Sequence, residues 1–231
     1  MSRGSELAAG LTAVESRLLA ACTAAGRRRD EVTLVAVGKT WPATDLRLLA
    51  GLGVRDFGEN RDQEARLKAA ELADLDLCWH FVGRLQTNKC VSVASYADVV
   101  HSVDRYPVVS ALGAGARRAG RTVTALVQVS LDDAVHRGGM PADGVPELAN
   151  AVAGEVGLRL GGLMAIAPLA ADPGPRFERL AGLAALVAAA HPTATAISAG
   201  MSADLEAAVR SGSTHVRIGT ALFGGRRPIL G

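Results

Sequence analysis

At 231 residues the chain is long enough for one large domain and short for two. Its 25 Lys and Arg nearly balance its 23 Asp and Glu, and no long basic run appears, which argues against an electrostatic nucleic-acid binder. Hydrophobic residues reach 49% but aromatics only 3%, so Ala, Val and Leu must build the core, which suits helices on a parallel sheet.

The elements alternate along the chain. Leu7, Leu11, Val14, Leu18 and Leu19 recur at helical spacing between about Gly4 and Ala25, an amphipathic helix ahead of the first strand. The apolar run Val32–Gly38 closes on Lys39, Thr40 and Pro42 and reads as a buried strand. A helix from Ala43 to about Leu52 leads to a second strand, Val54–Phe57, and a polar helix from Asp62 to Leu72. Strands are then expected at Cys78–Val82, Val99–His101 and Thr122–Val129, separated by helices near Asn88–Ser95 and Arg105–Ala119. A helix over Val145–Val156 precedes a strand within Leu158–Ile166, and an Ala/Leu-rich helix covers Phe177–Ala190. Strand Thr195–Ile197, helix Ala203–Arg210 and strand His215–Ile218 complete the series. Eight strand-then-helix units predict a single (β/α)8 TIM barrel over residues 1–231, with an extra N-terminal helix. An open doubly wound sheet is the fallback.

Cys22, Cys78 and Cys90 form no C-x-x-C pair, so neither a disulfide framework nor a zinc site is expected, and a reducing compartment is the default. No segment of membrane-spanning length is free of charge, and the N-terminus lacks a continuous apolar leader. These features predict a soluble cytoplasmic protein with no membrane partner.

In a barrel, the residues after each strand share one face, and that face holds the chemistry. In chain order they are Lys39, Asn60, Gly83, Asp104, Met164, Ser198 and Arg217–Thr220. This set contains no clustered metal ligands and no Ser-His-Asp arrangement. His80 and His101 lie inside expected strands and read as packed, hydrogen-bonded residues. The loop Ser198–Ser202, with Ser202 as N-cap of the next helix, and Gly219-Thr220 after the last strand both look built for a phosphate. Gly38-Lys39-Thr40 imitates the end of a P-loop, but that motif needs a glycine where Thr33 stands. Lys39 is then either a second phosphate contact or an amine that meets the carbonyl of a phosphorylated aldehyde. The second option describes pyridoxal 5'-phosphate held as a Schiff base.

At these residues the chain resembles the pyridoxal-phosphate homeostasis proteins. The matching segments are Leu34–Thr40, Phe57-Gly58-Glu59-Asn60, Trp79–Lys89, His101–Asp104, Gly162–Ile166, Gly200–Glu206 and Gly212–Gly224, in order over nearly the whole chain. The resemblance implies the barrel type of the alanine-racemase N-terminal domain, with Lys39 forming the Schiff base. It also implies phosphate contacts from Ser202, Gly219 and Thr220, Arg217 beside the pyridine nitrogen, and Asn60 near the ring's phenolic oxygen. Its implied role is intracellular pyridoxal phosphate homeostasis and amino-acid and keto-acid balance, with delivery to pyridoxal-phosphate-dependent apo-enzymes as a further implication. Three positions depart from the family pattern. Gly38 stands where members often have Ser, Ala199 where they have Met or Ser-Met, and His136-Arg137 where a Lys is common.

The competing class is a small racemase of the same barrel type. Such enzymes add a tyrosine from a partner's β-domain, for which a chain ending at Gly231 leaves no room. Tyr96 and Tyr106 are the only tyrosines, and neither is expected to replace it. The sequence therefore favours a monomeric carrier without a catalytic residue set. A cofactor-free Schiff-base aldolase is a third, weaker class.

Overall fold

Residues 2–131, 138–167 and 172–225 are described by a computed structural model. Eight apolar runs form parallel strands β1 (Thr33–Val37), β2 (Asp56–Glu59), β3 (Cys78–Phe81), β4 (Val99–Val103), β5 (Val123–Gln128), β6 (Leu158–Met164), β7 (Ala196–Ser198) and β8 (His215–Ile218). They close in chain order, and β8 pairs back onto β1 with Arg217 opposite Val35. The outer helices are α2 (Ala43–Gly51), α3 (Asp62–Glu71), α4 (Cys90–Ala94), α5 (Tyr106–Arg118), α6 (Val145–Gly154), α7 (Gly174–Ala190), α8 (Leu205–Arg210) and the single turn α9 (Thr220–Phe223). The chain is thus a (β/α)8 TIM barrel, and the open-sheet fallback is set aside.

Because both faces of a parallel strand are covered, β1 reads as one apolar run rather than an alternation. Boundaries differ from expectation where glycine and capping mislead. β2 begins two residues later than Val54 and runs through Gly58 and Glu59. Gly58 points its missing Cβ into the barrel, where an added carbon would sit 3.0 Å from Val35 and 3.2 Å from Val37. There glycine makes room inside the barrel instead of ending the strand. α8 starts at Leu205 rather than Ala203, because Asp204 turns back to accept a 2.6 Å hydrogen bond from the Met201 amide.

The N-terminal helix α1 (Arg3–Ala24) lies against α8, α9 and α2. Since α9 is one turn long, α1 covers the wall that a longer eighth helix would cover. Leu7, Val14, Leu18 and Cys22 are buried there. Arg3 fastens its start, donating to Asp45 (2.7 Å) and to the Phe223 carbonyl (3.0 Å) with its guanidinium 4.4 Å from the Trp41 ring. Trp41 stacks on Phe223 in turn, with ring centroids 5.8 Å apart. By length and mean hydropathy (1.2 over 18 residues) α1 could also cross a membrane. It is not free of charge, however, and Arg17 within it pairs with Glu206 of α8 at 2.8 Å. Among the described residues Cys22, Cys78 and Cys90 are free thiols.

Candidate functional site

Lys39 follows β1 at the C-terminal mouth of the barrel, half-buried. Among the described residues its amine has no hydrogen bond or ion pair. Its backbone is held from both sides by one cluster built on the buried Lys68 and Glu59. Lys68, on α3, donates to the Gly38 carbonyl (2.8 Å), to Glu59 (2.7 Å) and to Glu64 (2.6 Å). The same Glu64 oxygen accepts from the Thr40 amide at 2.7 Å. Thr40 sits at a φ of 69°, a left-handed conformation costly for a β-branched residue, so the cluster holds a strained turn in place. The nucleophile candidate thus stands on a rigid backbone with a free head.

Gly38 fits this cluster as it is. A Cβ there would lie 2.8 Å from Leu46 and 3.1 Å from Glu59, so a serine at this position would require Leu46 to move. Ala199, the second departure, is buried. His136-Arg137 lie outside the described residues.

Asn60 follows β2, and its side-chain oxygen is buried without a partner among the described residues. Gly83 locates it, because a Cβ at that position would come 2.2 Å from the Asn60 carbonyl oxygen. A cleft of about 310 Å3 opens beside Asn60, lined in part by Arg61, Arg84, Gln86 and Lys89. Gly219 is the N-cap of α9, beside β1, where an added Cβ would be 3.4 Å from the Val37 carbonyl oxygen. The Ser202 hydroxyl accepts from the Ala221 amide at 3.4 Å, drawing the β7–α8 and β8–α9 loops together. Ser202 is therefore not the N-cap expected of it. Asp204 occupies that position, and the serine bridges two loops instead. Thr220 is exposed, and its amide, first in a helix, has no partner within that helix.

Arg217 of β8 is 5% exposed and donates to the Ala165 carbonyl (2.9 Å) and to Ser198 (2.5 Å). Burial lowers its guanidinium to about 10, against a smaller opposing pull from Asp204, so it stays charged at neutral pH. Below it lie His80, His101 and His215, with ring centroids 5.1 to 6.3 Å apart. His80 and His101 are buried and hydrogen-bonded, as the strand pattern suggested.

These histidines set an acid limit. Burial first, then the positive charge that neighbouring His80 and Arg217 can carry, holds His101 well below the usual imidazole range and His215 at about 4. Their folded-state values lie below that of an unfolded histidine, so the unfolded chain takes up the proton first and stability falls with pH. His215 alone is expected to cost about 3 kcal/mol between about pH 6.5 and pH 4, at about 1.4 kcal/mol per unit. Glu59, raised to about 7 mainly by desolvation, works the other way, since the folded state holds its proton as pH falls from about 7 to about 4.5. Two histidines outweigh one carboxyl. Urea titrations should show a net loss of stability over this range, and His215→Gln should flatten it. An unchanged slope in that variant would remove His215 from the account.

Of the expected site residues, the structure brings Lys39, Arg217, Gly219 and Thr220 to neighbouring strands β1 and β8, and Ser202 onto the same loops. Asn60 follows the adjacent β2. Lys68, Glu59 and Glu64 were missed. The expected polar helix gave them no role, because Glu64 and Lys68 at i,i+4 have the spacing of an ordinary surface pair, yet Lys68 is 6% exposed. Tyr96 is buried at the end of α4 and Tyr106 is 50% exposed at the start of α5.

Comparison with known proteins places this geometry. Residues 12–227 match the family model for the alanine racemase N-terminal domain. The pyridoxal phosphate homeostasis protein of Mycobacterium tuberculosis is 44% identical, covering 97% of this chain and 95% of its own length. The structure of PipY from Synechococcus elongatus with pyridoxal phosphate bound superposes with a TM-score of 0.78 at 36% identity, covering 84% of this chain and 93% of that one. Alanine racemase from Corynebacterium glutamicum, at 17% identity and a TM-score of 0.66, shares the fold, covering 96% of this chain and 62% of that one. The chain belongs to the pyridoxal phosphate homeostasis protein family, built on the alanine-racemase type of barrel.

Proposed function

We propose that this chain binds pyridoxal 5'-phosphate reversibly at the C-terminal mouth of its barrel, and holds and releases it in the cytoplasm as a homeostasis protein without substrate turnover of its own. Lys39 carries the reading. A free amine on a backbone clamped at Gly38 and Thr40 is suited to capturing an aldehyde carbon in one place. When bound, the cofactor supplies an aldehyde that condenses reversibly with amines and a ring that draws electrons.

The residues present fit that group. Ser202, Gly219 and Thr220 would hold the phosphate through a hydroxyl and the amides of two loops already drawn together. Arg217 would donate to the ring nitrogen, and a guanidinium that keeps its proton would leave that nitrogen unprotonated and the ring a weaker electron sink. The buried oxygen of Asn60, unpartnered among the described residues, is a polar group that a donor on the bound ring would satisfy. The homeostasis name of the M. tuberculosis relative and the cofactor bound in PipY support the same reading. A monomer is the assembly it assigns, with pyridoxal-phosphate-dependent apo-enzymes as recipients.

The test is a visible spectrum of the purified protein with added pyridoxal phosphate, before and after borohydride. A yellow band that bleaches, with stoichiometric label on the peptide bearing Lys39, is the expected result. A chain that stays colourless would overturn the reading. Amino-acid α-deuterium exchange by the loaded protein should be no faster than by free cofactor, and faster exchange would replace the carrier with a racemase.

A further inference from the structure

A single line of hydrogen bonds crosses the barrel from Arg217 to its opposite mouth. Arg217 donates to Ser198 at 2.5 Å, Ser198 Oγ is 2.9 Å from His101 Nδ1, His101 Nε2 is 2.8 Å from His80 Nδ1, and His80 Nε2 is 2.9 Å from Asp56. Arg217, Ser198, His101 and His80 are buried, and Asp56, first in β2, is 29% exposed at the N-terminal mouth.

The chemistry of the two ends fixes every proton between them. A guanidinium only donates and a carboxylate only accepts. Ser198 therefore accepts from Arg217 and passes its own proton to His101 Nδ1. His101 must then carry its proton on Nε2 and give it to His80 Nδ1, and His80 must carry its own on Nε2, facing Asp56. All donors point one way. A proton added at His80 reverses the line, because His80 Nδ1 would then donate to His101, which would donate to Ser198. Ser198 would receive two donors and its hydroxyl hydrogen would need a new acceptor.

We propose that Asp56, His80, His101 and Ser198 are positioning residues, a relay that fixes the orientation of the Arg217 guanidinium from the far side of the barrel and thereby tunes how tightly the cofactor ring is held. The proposal rests on the reading of Arg217 as the ring-nitrogen contact. Other charged or titratable groups facing the line are few. Cys78 lies 3.3 Å from His80 Nε2, His215 packs on both rings and is bonded to Thr214 (2.7 Å), and Asp204 acts on Arg217. Asp56, Cys78 and His80 also have the spacing of metal ligands, with donor atoms within 4.8 Å of one another. The Cys78 thiol, however, is pushed up to about 12 by burial and by Asp56 and Asp98, and the line of hydrogen bonds already accounts for Asp56 and His80.

Two measurements test the relay. In the cofactor-free protein, histidine side-chain nitrogen shifts should report both His80 and His101 as Nε2–H tautomers at neutral pH. Asp56→Asn, whose amide can donate, should mix or reverse them while the thermal midpoint moves little. In the loaded protein the same variant should release pyridoxal phosphate about 10-fold faster, about 1.4 kcal/mol, and Asp56→Glu should restore slow release. Nδ1–H tautomers in the wild type would overturn the relay. So would a release rate in Asp56→Asn within about 2-fold of wild type. A protein that takes up no cofactor would instead sink the proposed function, and the nitrogen shifts would still decide the relay.

Discussion

Lys39→Ala is expected to reduce borohydride-fixed pyridoxal phosphate from stoichiometric to background and to shorten cofactor residence by roughly 100-fold or more, about 3 kcal/mol. The physical ground is that, among the described residues, only this amine, at the mouth beside β8, is held on a clamped backbone with its head free. The phosphate cup and Arg217 would remain, so weak non-covalent binding should survive as a rapidly exchanging fraction. Folding should be nearly untouched, with the thermal midpoint within about 2 °C of wild type, because among the described residues the half-buried side chain has no hydrogen bond or ion pair to lose. Mass spectrometry of reduced, digested protein decides it. Label retained at wild-type level on another lysine would remove Lys39 from the central role.

Lys68→Met is expected to be the most destabilising single change at the site. Lys68 and Glu59 are 7% and 1% exposed at their side chains, and removing the lysine leaves Glu59 buried with neither of its oxygens paired. Breaking a buried pair from one side costs about 3–5 kcal/mol, and at about 2–4 °C per kcal/mol for a chain of this size the midpoint should drop by about 6–20 °C. The Gly38 carbonyl loses its side-chain donor at the same time, so cofactor capture at Lys39 should slow in whatever remains folded. Desolvation already raises Glu59 to about 7 beside Lys68, so its carboxyl takes up a proton once the lysine is gone, and adding Glu59→Gln to Lys68→Met should return part of the stability by removing that protonation step without restoring the clamp. If calorimetry finds the single variant within about 1 kcal/mol of wild type, the cluster is not what holds the Lys39 turn.

The architecture, and the mouth at which the candidate site residues gather, could be read along the chain because both depend on local patterns. Eight apolar runs separated by helical spacing leave few alternatives to a closed parallel barrel, and residues after each strand must then share a mouth. That Lys39, Gly219 and Thr220 share one mouth followed from position, since a strand's end is visible in its own sequence, whereas a role for Arg217 came only from the resemblance. Ser202 was placed on the right loop but given the wrong partner. A capping serine and a serine bridging two loops have the same local sequence, and only the approach of Ala221 separates them.

What the tertiary structure alone decided are the groups whose meaning depends on residues far away in the chain. Lys68 looks like half of a solvated helical pair until β2 brings Glu59 beneath it and β1 brings the Gly38 carbonyl within 2.8 Å. Asp56, His80, His101 and Ser198 lie on four strands, with His101 and Ser198 97 residues apart, and become one line only when the barrel closes. Periodicity along a chain is enough to specify elements and their order. The direction of a hydrogen bond, or the partner of a buried charge, is set across strands, where closure and desolvation act on pairs that no local window contains.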